Sequence, residues 1–296
     1  MKGLRALFLM GLLSAIMVFG CSRGKSEVKE IDLTQAKREV ATAGLEKPKL
    51  YVAIAAMISP SETFNLYESL IHYVSKKLGI PIEFKQRKTY QEVNELLERK
   101  QIDFAFICTG GYLQARKTFP VELLTIPVVE NQPYYRALII VRKGSGITRF
   151  DQLRGKSFAF TDPLSNTGYD YVYKILEKER TTPEQYFSKV IFTYAHDNSI
   201  QAVSRGLVDG ASVDKLVYDF LLKSMPARVS NVEVIQESQR FGNPPFVVRP
   251  DLPDTLKDRL REVFLNMDRD PEGKEILRKI MIDRFIRGNN SLYERN

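Results

Sequence analysis

The pattern of apolar and polar residues changes from one short segment to the next, between the pattern of a strand and that of a helix. A continuous apolar run at 50–57 predicts a buried strand, and the segment after it repeats apolar residues at helical spacing. That helical face consists of Phe64, Tyr67, Ile71, Val74 and Leu78. Ser59 and Glu62 have the spacing of a capping box, which predicts the start of the helix, and Gly79 predicts its end.

The same change from strand to helix recurs through the rest of the chain. A second capping box at Thr89 and Glu92 opens another helix, and the region from Leu252 onward has the pattern of two or three amphipathic helices. Further strands are predicted at 80–85, 103–108, 121–129, 135–141, 157–161, 190–194, 208–213, 232–236 and 246–248. Strands that alternate with helices predict an α/β fold. We expect two lobes joined by two crossing strands, each lobe a mixed, mainly parallel sheet flanked by helices.

The predicted boundaries divide the chain into four parts. Residues 1–20 form an export signal and residues 21–48 a polar tether, with one short helix at 33–40. Lobe 1 comprises residues 49–140 and 242–296, and lobe 2 comprises residues 141–241.

The N-terminal segment has the features of a cleaved export signal. Lys2 and Arg5 precede an uncharged apolar run at 6–20, and small and polar residues follow. The alternative is a single membrane-spanning helix, but this run is shorter than the roughly 20 apolar residues that cross a bilayer.

Composition and charge narrow the class of protein. The 296 residues are 44% hydrophobic and 27% charged, which suits a globular protein of one or two domains. A formal net charge of +8 could attract nucleic acid, a membrane surface or small anions, and export argues against nucleic acid. Of the two cysteines, Cys21 lies where the signal ends and Cys108 ends an apolar run, so no disulfide is expected and Cys108 is predicted to be a core residue.

Signatures of common catalytic and metal sites are missing from the sequence. His72 and His196 are the two histidines, and the motifs CxxC, HExxH, GxSxG and GxxxxGK[ST] do not occur. The sequence therefore predicts no metal site, no cofactor and no serine esterase chemistry.

The segment FTDPLSNTGYDYVYKIL, Phe160 to Leu176, begins like a buried strand and ends like an amphipathic helix. Small polar residues at the junction, Ser165 to Gly168, are typical helix caps. They also place hydroxyls and free N–H groups at a helix N-terminus, as an oxyanion site requires. The local pattern leaves both interpretations open.

With its elements in this order, the chain resembles the periplasmic phosphate/phosphite/phosphonate-binding proteins of ABC transporters, a subgroup of the type II periplasmic binding proteins. DPLSNTGYDY is similar to the family's D-P-x-S-x-[ST]-G segment, which holds the phosphorus group. Other matching segments are KTYQEVNELLERKQIDFAF, QPYYRALIIVRKGSGI, TYAHDNSIQAVSRGLVDGA and PPFVVRPDLPDTLKDRLREVF. The residues VFGC, ending at Cys21, resemble the lipobox of bacterial lipoproteins, which implies a lipidated Cys21 and a protein anchored outside the cell or in the periplasm.

The family resemblance implies a set of ligand-binding residues. The phenols of Tyr90 and Tyr135 would donate from lobe 1, and His196 would donate an N–H or add positive charge. Lobe 2 would contribute Ser165, Asn166, Thr167 and the backbone of Gly168. Thr109, Tyr112 and Asp214 are a second tier of candidates for ligand binding. Singly, Tyr90 and His196 also fit positions at the start of a helix, and Tyr135 also fits a half-buried strand position.

Two departures from the family pattern bear on the ligand. Binders of aminoalkyl ligands in this family meet the amine with acidic residues, but Leu216 and Pro244 lie near those places, with Asp214 as the nearest substitute. Asn166 replaces a common hydroxyl residue. Phosphate, phosphite, a simple alkylphosphonate and another oxyanion are the ligands that these residues leave open.

Three functions follow from these observations. The first is a lipid-anchored solute-binding protein that delivers a small phosphorus oxyanion to an ABC permease and its ATPase, without catalysis. The second is a ligand-sensing lipoprotein that docks on a membrane sensor kinase or receptor. The third is an enzyme with His196 as general base and Asp197 or Asp214 as its orienting partner.

Overall fold

A computed structural model describes residues 49–294 of the chain, which belong to one compact unit, residues 46–296. The expected signal, tether, short helix at 33–40 and lipidated Cys21 lie outside the described residues. Within the described part, no helix is long and apolar enough to cross a membrane.

The described chain alternates strands and helices as the sequence predicts. The strands are β1 (Leu50–Ile54), β2 (Ile82–Lys85), β3 (Phe104–Phe106), β4 (Glu122–Val128), β5 (Tyr134–Tyr135), β6 (Ala137–Arg142), β7 (Ser157–Phe160), β8 (Lys189–Phe192), β9 (Gly210–Asp214), β10 (Val232–Glu237), β11 (Phe241–Gly242), β12 (Phe246–Val248) and β13 (Arg284–Arg287). The α-helices are α1 (Pro60–Leu78), α2 (Tyr90–Glu98), α3 (Thr109–Thr118), α4 (Tyr171–Lys178), α5 (Pro183–Tyr186), α6 (His196–Ser204), α7 (Lys215–Ser224), α8 (Asp254–Leu265) and α9 (Pro271–Lys279).

Two mixed sheets form the two lobes. Lobe 1 has the strand order β13-β4-β12-β3-β1-β2, and lobe 2 has the order β10-β6-β9-β7-β8. The mixed α/β architecture is confirmed, but among residues 49–294 parallel pairs join only β2, β1 and β3 in lobe 1 and β8, β7 and β9 in lobe 2. The other pairs are antiparallel because strands that enter from the other lobe or from the C-terminal region run in the opposite direction.

The chain crosses between the lobes at a two-stranded ribbon. Tyr135 of β5 pairs with Phe241 of β11 in antiparallel register. Strand β6 already belongs to the sheet of lobe 2, so the chain leaves lobe 1 a few residues before the expected boundary at residue 141. The ribbon places Tyr135 at the junction of the lobes.

Helix ends follow the sequence at some positions and depart from it at others. The capping box at Thr89 and Glu92 is confirmed, and Gly79 ends α1 in the left-handed conformation at φ 69°. The box expected at Ser59 and Glu62 is wrong, because the Ser59 side chain makes no cap hydrogen bond. The C-terminal region also contains β13 in addition to helices, because residues 284–287 pair with the edge of β4.

Aromatic packing fills the core of lobe 1 behind the strands that lead to the site. The ring of Phe246 stacks on Phe106 with centroids 4.8 Å apart and contacts Phe264 at 4.5 Å. Cys108, between β3 and α3, is buried as predicted, and burial raises the pKa of its thiol to about 11. The aromatic core therefore holds β3 in place, and α3 with Thr109 begins shortly after this strand.

Candidate functional site

The turn after β7 is built by side chains that bond to neighbouring backbone. Asp162 Oδ1 accepts from the Leu164 N–H at 2.8 Å, and Ser165 Oγ accepts from the Gly168 N–H at 2.9 Å. The helix predicted from Asn166 is confirmed, and its first turn, Asn166–Asp170, is a π-helix that leads into α4. Such turns occur frequently at functional sites. The cap interpretation of Ser165 is therefore confirmed, and it leaves the rest of the turn open to a ligand.

Gly168 is required by close packing inside the turn. A Cβ at this position would lie 2.5 Å from Thr161 Cβ and Oγ1, well inside normal contact distance. Its N–H already donates to Ser165 Oγ. Gly168 therefore shapes the turn, and the structure places no free Gly168 donor at the site.

His196 is a neutral, fully buried ring that bonds to lobe 2. Its Nδ1 accepts from the Asp214 backbone N–H at 3.0 Å and lies 3.0 Å from Thr161 Oγ1. Since a backbone N–H can only donate, the ring proton is on Nε2, which faces Ser165 Oγ at 3.5 Å. Burial lowers the pKa of His196 to about 3, so the positive charge considered for this residue is not supported.

The geometry of His196 also opposes the role of a general base. The Asp197 carboxylate accepts from the Ser59 N–H at 2.8 Å, and Asp214 Oδ1 accepts from the Leu216 N–H at 2.7 Å. Neither carboxylate is hydrogen-bonded to the imidazole to orient it as a base. A ring with a pKa near 3 is a weak proton acceptor at neutral pH.

Tyr90 and Tyr135 place two buried phenols together. Their side chains are 1% and 3% exposed, and neither hydroxyl has a hydrogen-bond partner. Burial, with Cys108 and Asp214 nearby, raises the pKa of both phenols well above 10, so both remain protonated donors. The Tyr135 hydroxyl lies close to the side chains of Thr109 and Asn166 but forms no well-oriented bond with them.

Asn166 and Thr167 add further unpartnered polar atoms from lobe 2. Both side chains are buried, and Asn166 Oδ1, Asn166 Nδ2 and Thr167 Oγ1 have no partner. Together with the two phenols, these account for five of the nine such side-chain atoms among residues 49–294. Buried polar groups are normally hydrogen-bonded, so this concentration at one place points to a ligand that would satisfy them.

The second-tier residues differ in their position relative to the two phenols. Thr109 Oγ1 donates to the Gly242 carbonyl at 2.8 Å and supports the crossing ribbon beside Tyr135. Tyr112 points away from the site, since its hydroxyl donates to Asn290 Oδ1 at 2.6 Å and its ring packs edge-on against Tyr293. Asp214 lies beside Tyr90 and Tyr135, where burial raises the pKa of its carboxyl to about 7.

The two lobes lie against each other around these residues. The Tyr90 N–H donates to Asp162 Oδ2 at 3.1 Å, and the His196 N–H donates to the Met57 carbonyl at 2.9 Å. The contact is closest at Gly110, where a Cβ would lie 2.1 Å from the Leu164 carbonyl oxygen. Helix α3 can therefore reach the turn of lobe 2 only with glycine at this position.

Sequence reasoning missed Gly110 and Asp162 as contacts between the lobes. Asp162 lies two residues after β7 and precedes a proline, which is a turn signal, but the sequence contains no sign of its partner 72 residues earlier. Among the residues that the structure describes, no three His, Cys, Asp or Glu side chains gather closely enough to hold a metal ion.

The comparison with known protein families identifies the family of the chain. Residues 52–293 match the family described as the periplasmic substrate-binding protein of a phosphonate ABC transporter. The chain belongs to this phosphonate-binding family. The likeness of its two lobes and their crossing ribbon to solved structures shows the fold of the type II periplasmic binding proteins.

Three similar proteins share between 21% and 25% of the aligned residues with this chain. The phosphonates-binding periplasmic protein of Escherichia coli K12 is 25% identical over 214 residues, which are 70% of this chain and 62% of that protein. The binding-protein component of a Pseudomonas aeruginosa phosphonate transporter superposes with a TM-score of 0.78 at 21% identity, covering 83% and 84% of the two chains. PhnD1 of Prochlorococcus marinus MIT 9301, solved with methylphosphonate, gives a TM-score of 0.76 at 21% identity, covering 83% and 94%.

Proposed function

We propose that the protein binds a phosphorus oxyanion, namely phosphonate, phosphite or phosphate, between its two lobes and delivers it to an ABC permease driven by an ATPase. The observation that carries this proposal is the group of unpartnered buried atoms of Tyr90, Tyr135, Asn166 and Thr167. The first two residues come from lobe 1 and its ribbon, and the other two from lobe 2. A ligand held from both sides would link binding to lobe closure.

Neutral donors at this place suit an oxyanion. Phenols, the Thr167 hydroxyl and the Asn166 amide can each donate to a phosphoryl oxygen, and buried hydrogen bonds to a charged group contribute about 1.5–3 kcal/mol each. Ser165 adds a further donor. Because its Oγ accepts from the Gly168 N–H and faces the His196 Nε2–H, its own O–H is left to donate.

The ligands of related proteins agree in class with this proposal. One relative is named for phosphonates, and the Prochlorococcus protein was solved with methylphosphonate. We further propose that Cys21 carries a lipid anchor and that the protein works outside the cell or in the periplasm, supported by the VFGC sequence at its expected signal end. No specific observation favours a role on a sensor kinase.

Calorimetric titration of the purified protein tests the ligand class. We expect saturable binding of at least one of phosphate, phosphite and methylphosphonate, with sulfate as the control anion. Absence of heat and of a thermal shift with all three phosphorus anions would refute the proposal.

Asp214 is expected to make ligand binding depend on pH. Below a pKa of about 7 its protonated carboxyl can donate to the anion, whereas the carboxylate formed above this pH repels it. Affinity should therefore fall as pH rises through 7, by up to about tenfold per pH unit. Asp214→Asn removes the charge and retains the oxygen that caps α7.

Both proteins are titrated with methylphosphonate between pH 5.5 and 8.5, so that the ligand's own ionisation is common to the two series. The ratio of the wild-type Kd to the Asp214→Asn Kd should rise above pH 7. A constant ratio would show that Asp214 does not titrate against the ligand.

A further inference from the structure

A cavity of about 220 Å³ adjoins the candidate anion site between the two lobes. Tyr135 and Asp214 line the cavity and also belong to the group of polar residues described above. A ligand whose anionic end met Tyr135 would thus have open space beside it.

The walls of this cavity are mainly apolar side chains from both lobes. They include Met57, Leu66 and Phe106 from lobe 1 and Leu216, Val217 and Phe220 from lobe 2. Leu216 and Pro244 both line this space with hydrocarbon. An ammonium group would therefore meet hydrocarbon at those two points.

Most charged residues of the lining are paired with another residue or exposed to solvent, so they attract a charged substituent only weakly. Lys215 is paired with Asp219 at 3.1 Å, and Arg136 lies 3.7 Å from Glu237. Glu130 and Arg240 are exposed to solvent. Asp214 is the buried acidic group of the lining, and its Oδ1 already accepts from the Leu216 N–H.

We infer that the cavity accepts an uncharged organic substituent on the phosphorus anion, so that the preferred ligands are alkyl- or arylphosphonates larger than methylphosphonate. This inference rests on the proposed function and names the ligand class of the same site. Each methylene moved from water to apolar walls improves affinity by about fourfold. An inorganic anion or methylphosphonate would leave most of these walls without contact.

The test compares methylphosphonate, n-butylphosphonate and 3-aminopropylphosphonate by calorimetry. The last two have equal length and differ in a terminal methyl or ammonium group. We expect butylphosphonate to bind at least about tenfold more tightly than methylphosphonate, and more tightly than the aminopropyl compound.

Each outcome separates this inference from the proposed function. Failure of all three compounds and of phosphate and phosphite would refute the proposed function. Binding of methylphosphonate with no gain for butylphosphonate would overturn the cavity inference alone, as would preference for the ammonium compound.

A matched pair of variants on α7 locates the effect. Leu216→Phe narrows the cavity and should reduce the butyl-to-methyl affinity ratio at least about fivefold. Leu222→Phe makes the same exchange at an exposed position outside the lining and should retain the ratio. Equal ratios in both variants would place the butyl group elsewhere.

Discussion

Replacing Gly110 with alanine is expected to weaken ligand binding by at least about 100-fold while the chain stays folded. The added Cβ would lie 2.1 Å from the Leu164 carbonyl oxygen and 2.8 Å from the Asn166 nitrogen. These are backbone atoms of the opposite lobe, so they cannot rotate away as a side-chain end would. Gly110 does not have a positive φ, and alanine suits the first turn of α3, so the lobe itself should tolerate the change.

The neighbouring residue provides the control for this variant. A Cβ at Gly111 would lie 3.7 Å from Asn94 Oδ1, an ordinary contact inside lobe 1. Calorimetry and small-angle scattering should show weak binding and a more open shape for Gly110→Ala and normal behaviour for Gly111→Ala. Full affinity in Gly110→Ala would mean that binding does not need the contact between α3 and the turn of lobe 2.

Removing either of the two unpartnered phenol hydroxyls is expected to weaken binding by about 10- to 100-fold, since each would donate to a charged ligand. In Tyr90→Phe and Tyr135→Phe the ring and its packing are retained, and only a buried hydroxyl without a partner is lost. The free energy of unfolding without ligand should therefore stay the same or rise slightly. Calorimetry with methylphosphonate and thermal unfolding without ligand measure the two effects.

Tyr112→Phe should show the opposite behaviour and serves as the matched control. Its hydroxyl donates to Asn290 at 2.6 Å away from the site, so its loss should cost about 1 kcal/mol of stability and leave affinity unchanged. If Tyr90→Phe and Tyr135→Phe lost stability and retained affinity in the same way, the two phenols would be structural.

Local signals predicted most of the fold, and failures occurred where a distant partner decides the conformation. The second capping box involves residues three apart, so the sequence contains both partners. At Ser59, by contrast, the N–H donates to Asp197 and Glu62 pairs with Arg228, both in lobe 2. Residues 282–287 have apolar positions at 282, 285 and 286, a spacing that also fits a helix, and pairing with β4 makes them a strand.

For the candidate site, the sequence predicted which residues take part. The structure shows which of their side chains are already hydrogen-bonded and which are without a partner. Resemblance to the family singled out both Tyr90 and Tyr112, yet only Tyr90 has a hydroxyl without a partner. The neutral state of His196 follows from its burial and from the Asp214 N–H, neither of which a sequence displays. The apolar cavity is likewise formed by residues far apart in the chain, so no local pattern could indicate it.

A crystal structure of the protein grown with methylphosphonate is the most direct test of the proposed binding site. We expect phosphoryl oxygens within about 2.7–2.8 Å of the hydroxyls of Tyr90, Tyr135 and Thr167, with Asn166 also bonded to the ligand. A phosphonate bound elsewhere, with these four side chains still without partners, would contradict the proposed site.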